Sequence, residues 1–155
     1  MNRKEKLIWY KNEFDKISNE IKDKKHLTHN DFLRIRNFKL RNLTIEKEEH
    51  VNKITSDAFT LAEKDKIKEA ITKLLELDGV AIPIASTILA MRFPDKYAII
   101  DTRVIRCLRK EEWLKNYTKN PQIYEDYILL LRRNKPSHMT LRDYERNLFE
   151  GNINN

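Results

Sequence analysis

The sequence predicts one all-α domain of about eight helices, and three observations carry that expectation. Only 2 Gly and 4 Pro occur in 155 residues, too few for the turns that sandwiches and barrels need. Val, one of the β-branched residues that strands favour, occurs only three times. Apolar residues instead recur at steps of three and four, the period of one helix face. Leu, Ile, Val and Phe make about 28% of the chain, above the roughly 20% below which disorder is expected.

Leu7, Tyr10, Phe14, Ile17 and Ile21 form the first such face, on a helix over 3–24. After a charged break, Thr28 stands three residues before Asp31, a capping pattern that opens a second helix on Phe32, Ile35 and Phe38 and ends at Asn42. A third helix is expected from about Ile45 to Leu61 on Val51, Ile54 and Ala58. A fourth runs from about Lys64 to Leu77 on Ile67, Ile71, Leu74 and Leu75. The only glycine before position 151 follows, in Asp78-Gly79-Val80-Ala81, and Pro83 opens the next helix to Arg92, where a missing N–H is harmless. Phe93-Pro94-Asp95 ends it, Tyr97 to Ile100 reads as extended and buried, and Asp101 heads a helix that packs Val104, Ile105 and Leu108. Asn120-Pro121 starts a helix to about Arg133 with Tyr124, Tyr127, Ile128 and Leu131 inward. Thr140 to Phe149 is the last, on Leu141, Tyr144 and Leu148. No linker or repeat divides the chain, so residues 1–155 read as one domain.

With 31 Lys+Arg against 24 Asp+Glu the net charge is +7, which points to an anionic partner such as nucleic acid. The single Cys107 excludes an internal disulfide framework, a four-cysteine zinc site and a four-cysteine iron–sulfur cluster, and fits a reducing cytoplasm. The start MNRKEKLIWY lacks the apolar core of a signal peptide, and the run from Gly79 to Met91 is too short to span a bilayer. A cytoplasmic monomer without membrane contact is the expectation.

Two features could carry chemistry. The Gly79 turn exposes backbone N–H groups that can face a phosphate, although a packing corner with a left-handed glycine cap would look the same. Asp101 offers a carboxylate at a helix start, where the dipole favours its ionised form; a plain N-cap bonding Arg103 or Val104 is the ordinary alternative. Arg103, Arg106 and Arg109 follow at steps of three, spacing that can form one basic strip. His26, His29, His50 and His138 are scattered and give no metal-ligand pattern. Trp9, Trp113 and the tyrosines read as core or surface aromatics rather than stacking platforms, and Ser86 as a packing residue.

The segment from Leu74 to Leu108 resembles the core of the helix-hairpin-helix base-excision DNA glycosylase superfamily. That family's hairpin reads roughly Leu-Pro-Gly-Val-Gly; here Leu77, Asp78, Gly79, Val80 and Ala81 stand in those places, with the small Ala85 beyond. The family's Val-Asp-Thr-His/Arg is matched by Ile100-Asp101-Thr102-Arg103. Phe38 to Asn42 and Leu141 to Phe149 look like segments of small members, without carrying specific motifs.

The resemblance implies a hairpin over about 74–92, a catalytic-aspartate segment over about 97–108, Asp101 as the catalytic carboxylate, and Gly79 and Ala81 as N–H donors to DNA phosphate. A monovalent cation at the hairpin backbone is a further implication; no other cofactor is required. The charge suggests Lys39, Arg41, Arg103 and Arg106 as phosphate-neutralising residues. Pro83 occupies the position of the Schiff-base lysine of bifunctional glycosylase/lyases and has no amine, so a monofunctional glycosylase acting on a modified or mismatched base is expected. Lys39 is the candidate amine should an imine form elsewhere. Ala81 replaces the second hairpin glycine, and the cysteine tail that holds an iron–sulfur cluster in some members is missing. The alternative is a DNA-binding hairpin module without catalysis.

Overall fold

A computed structural model describes residues 1–39 and 48–151. These form eight α-helices: α1 Arg3–Ile21, α2 His29–Lys39, α3 Glu48–Glu63, α4 Ile67–Leu74, α5 Ile82–Arg92, α6 Thr102–Cys107, α7 Pro121–Asn134 and α8 Leu141–Glu150. A 3-10 turn at Glu111–Trp113 separates α6 from α7, and no strand forms among the described residues. The all-α expectation therefore holds. Arg41, Asn42 and the expected third-helix start at Ile45 lie outside the described residues.

Helix starts follow their capping residues. The Thr28 hydroxyl accepts the Asp31 N–H at 3.1 Å while the Asp31 carboxylate accepts the Thr28 N–H at 3.0 Å, a reciprocal box that fixes the start of α2. Asn2, Asn120 and Thr140 cap α1, α7 and α8 through side-chain oxygens. Several helix ends depart from expectation: α1 stops at Ile21 rather than near 24, and α4 spans Ile67–Leu74 rather than Lys64 to Leu77. α3 runs on to Glu63 because Asp65 takes a left-handed φ of 59°, with Asp65 N–H to Ala62 O and Lys66 N–H to Leu61 O closing a Schellman motif. α6 ends after six residues in the same way: Arg109 has φ 57°, and the Arg109 and Lys110 N–H groups bond to Arg106 O and Ile105 O. Arg109 thus leaves the helix, and the expected three-arginine strip is reduced to Arg103 and Arg106.

α5 lies at the centre. Nine of its eleven residues are buried, so it is apolar on all sides, the pattern of a helix enclosed by others. α1, α2 and α4 pack around it, α3 and α7 pack on α4, and α8 bridges α6 and α7. Ser18 of α1 donates to Met91 O at 2.6 Å, tying α1 to the end of α5. One continuous apolar core, from Phe14 through Ile88 to Leu141, joins these helices. Among the described residues no helix is long and apolar enough to cross a membrane.

Between α5 and α6 the chain crosses the core without helix. Tyr97, Ala98, Ile99 and Ile100 are all buried, so their backbone groups need protein partners. Side chains supply them: Tyr124 and Tyr127 of α7 donate to Ala98 O at 2.9 Å and Ile99 O at 2.6 Å. The Ile99 N–H donates to Glu145 of α8 at 2.9 Å, and the Ile100 N–H to Ser86 of α5 at 3.1 Å. Ser86 is therefore a structural acceptor, in keeping with a packing role. Burial pushes the Tyr124 and Tyr127 hydroxyls well above their ordinary pKa, so both remain donors.

Candidate functional site

Asp101 ends this buried segment and caps α6. Its backbone is extended, φ −149° and ψ 169°, and Oδ1 accepts the Val104 N–H at 2.9 Å. The capping role is thus filled. Asp101 also lines a cavity of about 250 Å³, so the same carboxylate serves local structure and borders a space where a ligand fits.

Four elements enclose the cavity. α1 contributes Tyr10 and Lys11, α2 contributes Phe38 and Lys39, the 97–101 segment contributes Ile99 and Asp101, and α8 contributes Arg142, Glu145, Arg146 and Phe149. The first two turns of α1 differ from the expected inward face: Tyr10 is 45% exposed and borders the cavity, and the buried face begins at Phe14. Tyr10 meets Trp9 and Phe38 edge to face, at 5.1 and 5.4 Å between ring centroids, which builds an aromatic ledge at the opening.

The charged wall comes from α8. Glu145 stands one turn from Leu141 and is buried with it, while Arg142 and Arg146 fall on the side away from Leu148, which reads as solvated, yet are buried too. Phe14 of α1 explains this, because the Arg142 and Arg146 guanidinium groups lie 4.4 and 5.5 Å from its ring centroid. Glu145 pairs with Arg142 at 2.5 Å and Arg146 with Asp15 at 3.2 Å, while Nε of both arginines lacks a partner. Burial raises the Glu145 pKa; the Arg142 charge and hydrogen bond and the Ile99 N–H oppose the rise, and Asp101 reinforces it. Burial likewise lowers the Lys39 pKa against the pull of Asp101 and Glu145, with Arg142 pushing the same way as burial.

The cavity therefore joins two residues singled out in the sequence, Asp101 and Lys39, and adds Tyr10, Phe38 and the α8 charges. No pattern marked the α8 charges, because burial of a polar face depends on what docks against it. Arg103 is exposed beside the site, its guanidinium 4.8 Å from the ring of Phe149. Arg106 is exposed on α6. Arg41 lies outside the described residues.

The turn before α5 is separate from the cavity lining. Gly79 has φ 70°, a left-handed conformation that favours glycine, and the Val80 N–H closes the turn on Leu77 O at 3.2 Å. Gly79 and Ala81 are exposed, and no backbone acceptor among the described residues takes either N–H. The next donor is occupied, because the Ile82 N–H bonds to Thr118 O at 3.1 Å. Ala81 caps α5 with no side-chain bond, and Pro83 sits in the first turn. Among the described residues no three His, Cys, Asp or Glu side chains gather as a metal site requires. Neither a family model, nor a curated protein, nor a solved structure matches this chain.

Proposed function

We propose that the protein is a DNA N-glycosylase that releases a modified or mismatched base in base-excision repair, with Asp101 as the catalytic carboxylate. The observation that carries the reading is the open, partly aromatic cavity beside Asp101. A hairpin module that only binds DNA has no use for such a space next to a helix cap.

Neither the glycosidic bond nor the base edge can be reached inside a duplex, so the nucleotide must leave the stack, at a cost of a few kcal/mol that is smallest for damaged pairs. The ledge of Tyr10 and Phe38 offers a surface for the extruded base, and Arg142 and Arg146 offer donors to its polar edge. Asp101 then stabilises the oxocarbenium-like charge on the deoxyribose and aligns the attacking water. Gly79 and Ala81 donate N–H groups to phosphate, while Lys39, Arg41, Arg103 and Arg106 supply positive charge. The carbonyls of Gly79 and Val80 accept no backbone N–H among the described residues, so the turn keeps oxygen donors of the kind a monovalent cation takes. On this reading the protein works inside the cell as a monomer, since one chain supplies every group named.

The test is a panel of oligonucleotides bearing different modified and mismatched bases, scored for abasic sites. Asp101→Asn keeps a capping oxygen and removes the charge, so melting temperature and DNA affinity should persist while base release is lost. DNA binding without base release across the panel would favour the alternative, a non-catalytic helix-hairpin-helix module. Full activity in Asp101→Asn would overturn the assigned chemistry.

A further inference from the structure

Ile8, Trp9 and Tyr10 stand exposed side by side on α1, Trp9 by 45%, whereas Trp113 is half-buried against the core. Apolar residues scattered singly over a surface need no explanation, but an indole and a phenol left in water together do. Trp9 meets Tyr10 edge to face, and Tyr10 meets Phe38 in the same way, so a row of rings runs from the surface of α1 to the wall of the cavity beside Asp101. The mechanism above uses Tyr10 and Phe38 and leaves Trp9 without a task.

The charges around these rings select the partner. Arg3, Lys4, Lys6 and Lys11 are exposed on the same three turns. Among the described residues α1 forms its ion pairs through Asp15 and Glu20, further along, and these four cations stay unpaired. Against them stand Glu5, which accepts the Asn2 N–H at 3.0 Å in the capping box, and Glu13. Lys6 lies one turn before Trp9 and Tyr10, on their side of the helix. Rings alone would suit any apolar surface; rings flanked by unpaired cations suit a polyanion that presents flat aromatic faces. In duplex DNA those faces are covered by the neighbouring pairs, so Trp9 has a partner only where bases are unpaired.

We infer that Trp9 stacks on an unpaired base next to the one in the cavity, so that the protein takes single-stranded DNA in preference to duplex. This rests on the glycosylase reading for what fills the cavity, and it names the substrate class: a modified base in a strand already open, where no pair has to be broken. Lys6 and Lys11 neutralise phosphates of the stacked nucleotide and its neighbour, and the target base turns in past Tyr10.

The experiment uses the full chain and one unmodified oligonucleotide, offered as a single strand and paired with its complement at the same salt concentration. Anisotropy of labelled DNA gives the affinities, and tryptophan emission in Trp113→Phe follows Trp9 alone. The expected result is tighter binding of the single strand with Trp9 emission quenched. Trp9→Ala weakens that binding about 5- to 100-fold, the range for loss of one base–aromatic stack, and Trp9→Phe restores most of it. Tighter binding of duplex, or full single-strand affinity in Trp9→Ala, overturns the inference and leaves base release by Asp101 standing. So does Trp9 emission that responds to vesicles of anionic phospholipid and not to the single strand, which would assign this face to a membrane surface. Stacking on the single strand without base release from any modified base upholds the inference and overturns the glycosylase reading alone. Failure to bind either form of DNA at low salt overturns both. The wild-type comparison of the two forms, with its emission, decides the matter even if a variant does not fold.

Discussion

The carboxylate of Glu145 accepts the N–H of Ile99 at 2.9 Å, so a residue of the last helix fixes the segment that presents Asp101. The same oxygen pairs with Arg142 at 2.5 Å, and both partners are buried. Glu145→Ala leaves the Ile99 N–H and a buried guanidinium without their acceptor, and should cost about 3–5 kcal/mol in a denaturant titration. The pH dependence has a definite sign. The folded-state pKa is raised by burial, so folding favours protonated Glu145; its contribution is full below the ordinary value of 4.5 and is lost as pH rises through the raised one. Thermal melts should show wild-type stability falling across that window relative to Glu145→Gln. Parallel pH profiles for the two proteins would contradict this.

Gly79→Arg tests the turn. A left-handed φ of 70° costs a non-glycine residue about 1–2 kcal/mol, and the long side chain also fills the approach to the exposed N–H groups. The expected variant is modestly destabilised, still folded, and weakened in DNA affinity. If about 4 phosphates are neutralised in the wild type, log affinity against log salt should have a slope near −3.6, from about −0.9 per phosphate. A folded Gly79→Arg protein with unchanged affinity would remove the turn from the DNA surface.

Arg109→Gly should stabilise the protein. Relief of the left-handed strain at φ 57° is worth about 1–2 kcal/mol, and the added freedom of glycine in the unfolded chain takes back about 0.5–1 kcal/mol. The net gain, about 0.5–1 kcal/mol, should raise the melting temperature by a few degrees. A lowered melting temperature would mean that the Arg109 side chain contributes more than its exposed position suggests.

Much of the architecture is legible from spacing and caps. The four inward residues of α7, Tyr124, Tyr127, Ile128 and Leu131, follow from steps of three and four, and Asp101 takes the capping bond to Val104 that its position suggests. The limits have physical causes. Nothing local shows that Asp65 and Arg109 adopt left-handed conformations, because in a chain with 2 Gly the Schellman ends fall to residues that carry no glycine signal. Nor does α8 betray its buried charges: Leu141, Tyr144 and Leu148 mark one inward face, and only the docking of Phe14 makes a second of Arg142 and Arg146. Asp101 was visible as a candidate for the same reason that Tyr10 and Phe38 were not. A carboxylate at a helix start has a chemical reading by itself, whereas two aromatics from different helices acquire one only by meeting.

The route of the backbone from Tyr97 to Ile100 has a consequence for how this protein breathes. Hydroxyls and a carboxylate from α5, α7 and α8 replace the neighbouring strand such a segment would otherwise need, so no single helix can release it while the others stay docked. The amides of Ile99 and Ile100 should exchange with deuterium only through global opening, at the slow limit of the molecule, whereas the first turns of α1 exchange early. The carboxylate of Asp101 is thus held in place from three helices at once, while Tyr10 on the other wall of the cavity stands on the exposed first turns of a single helix.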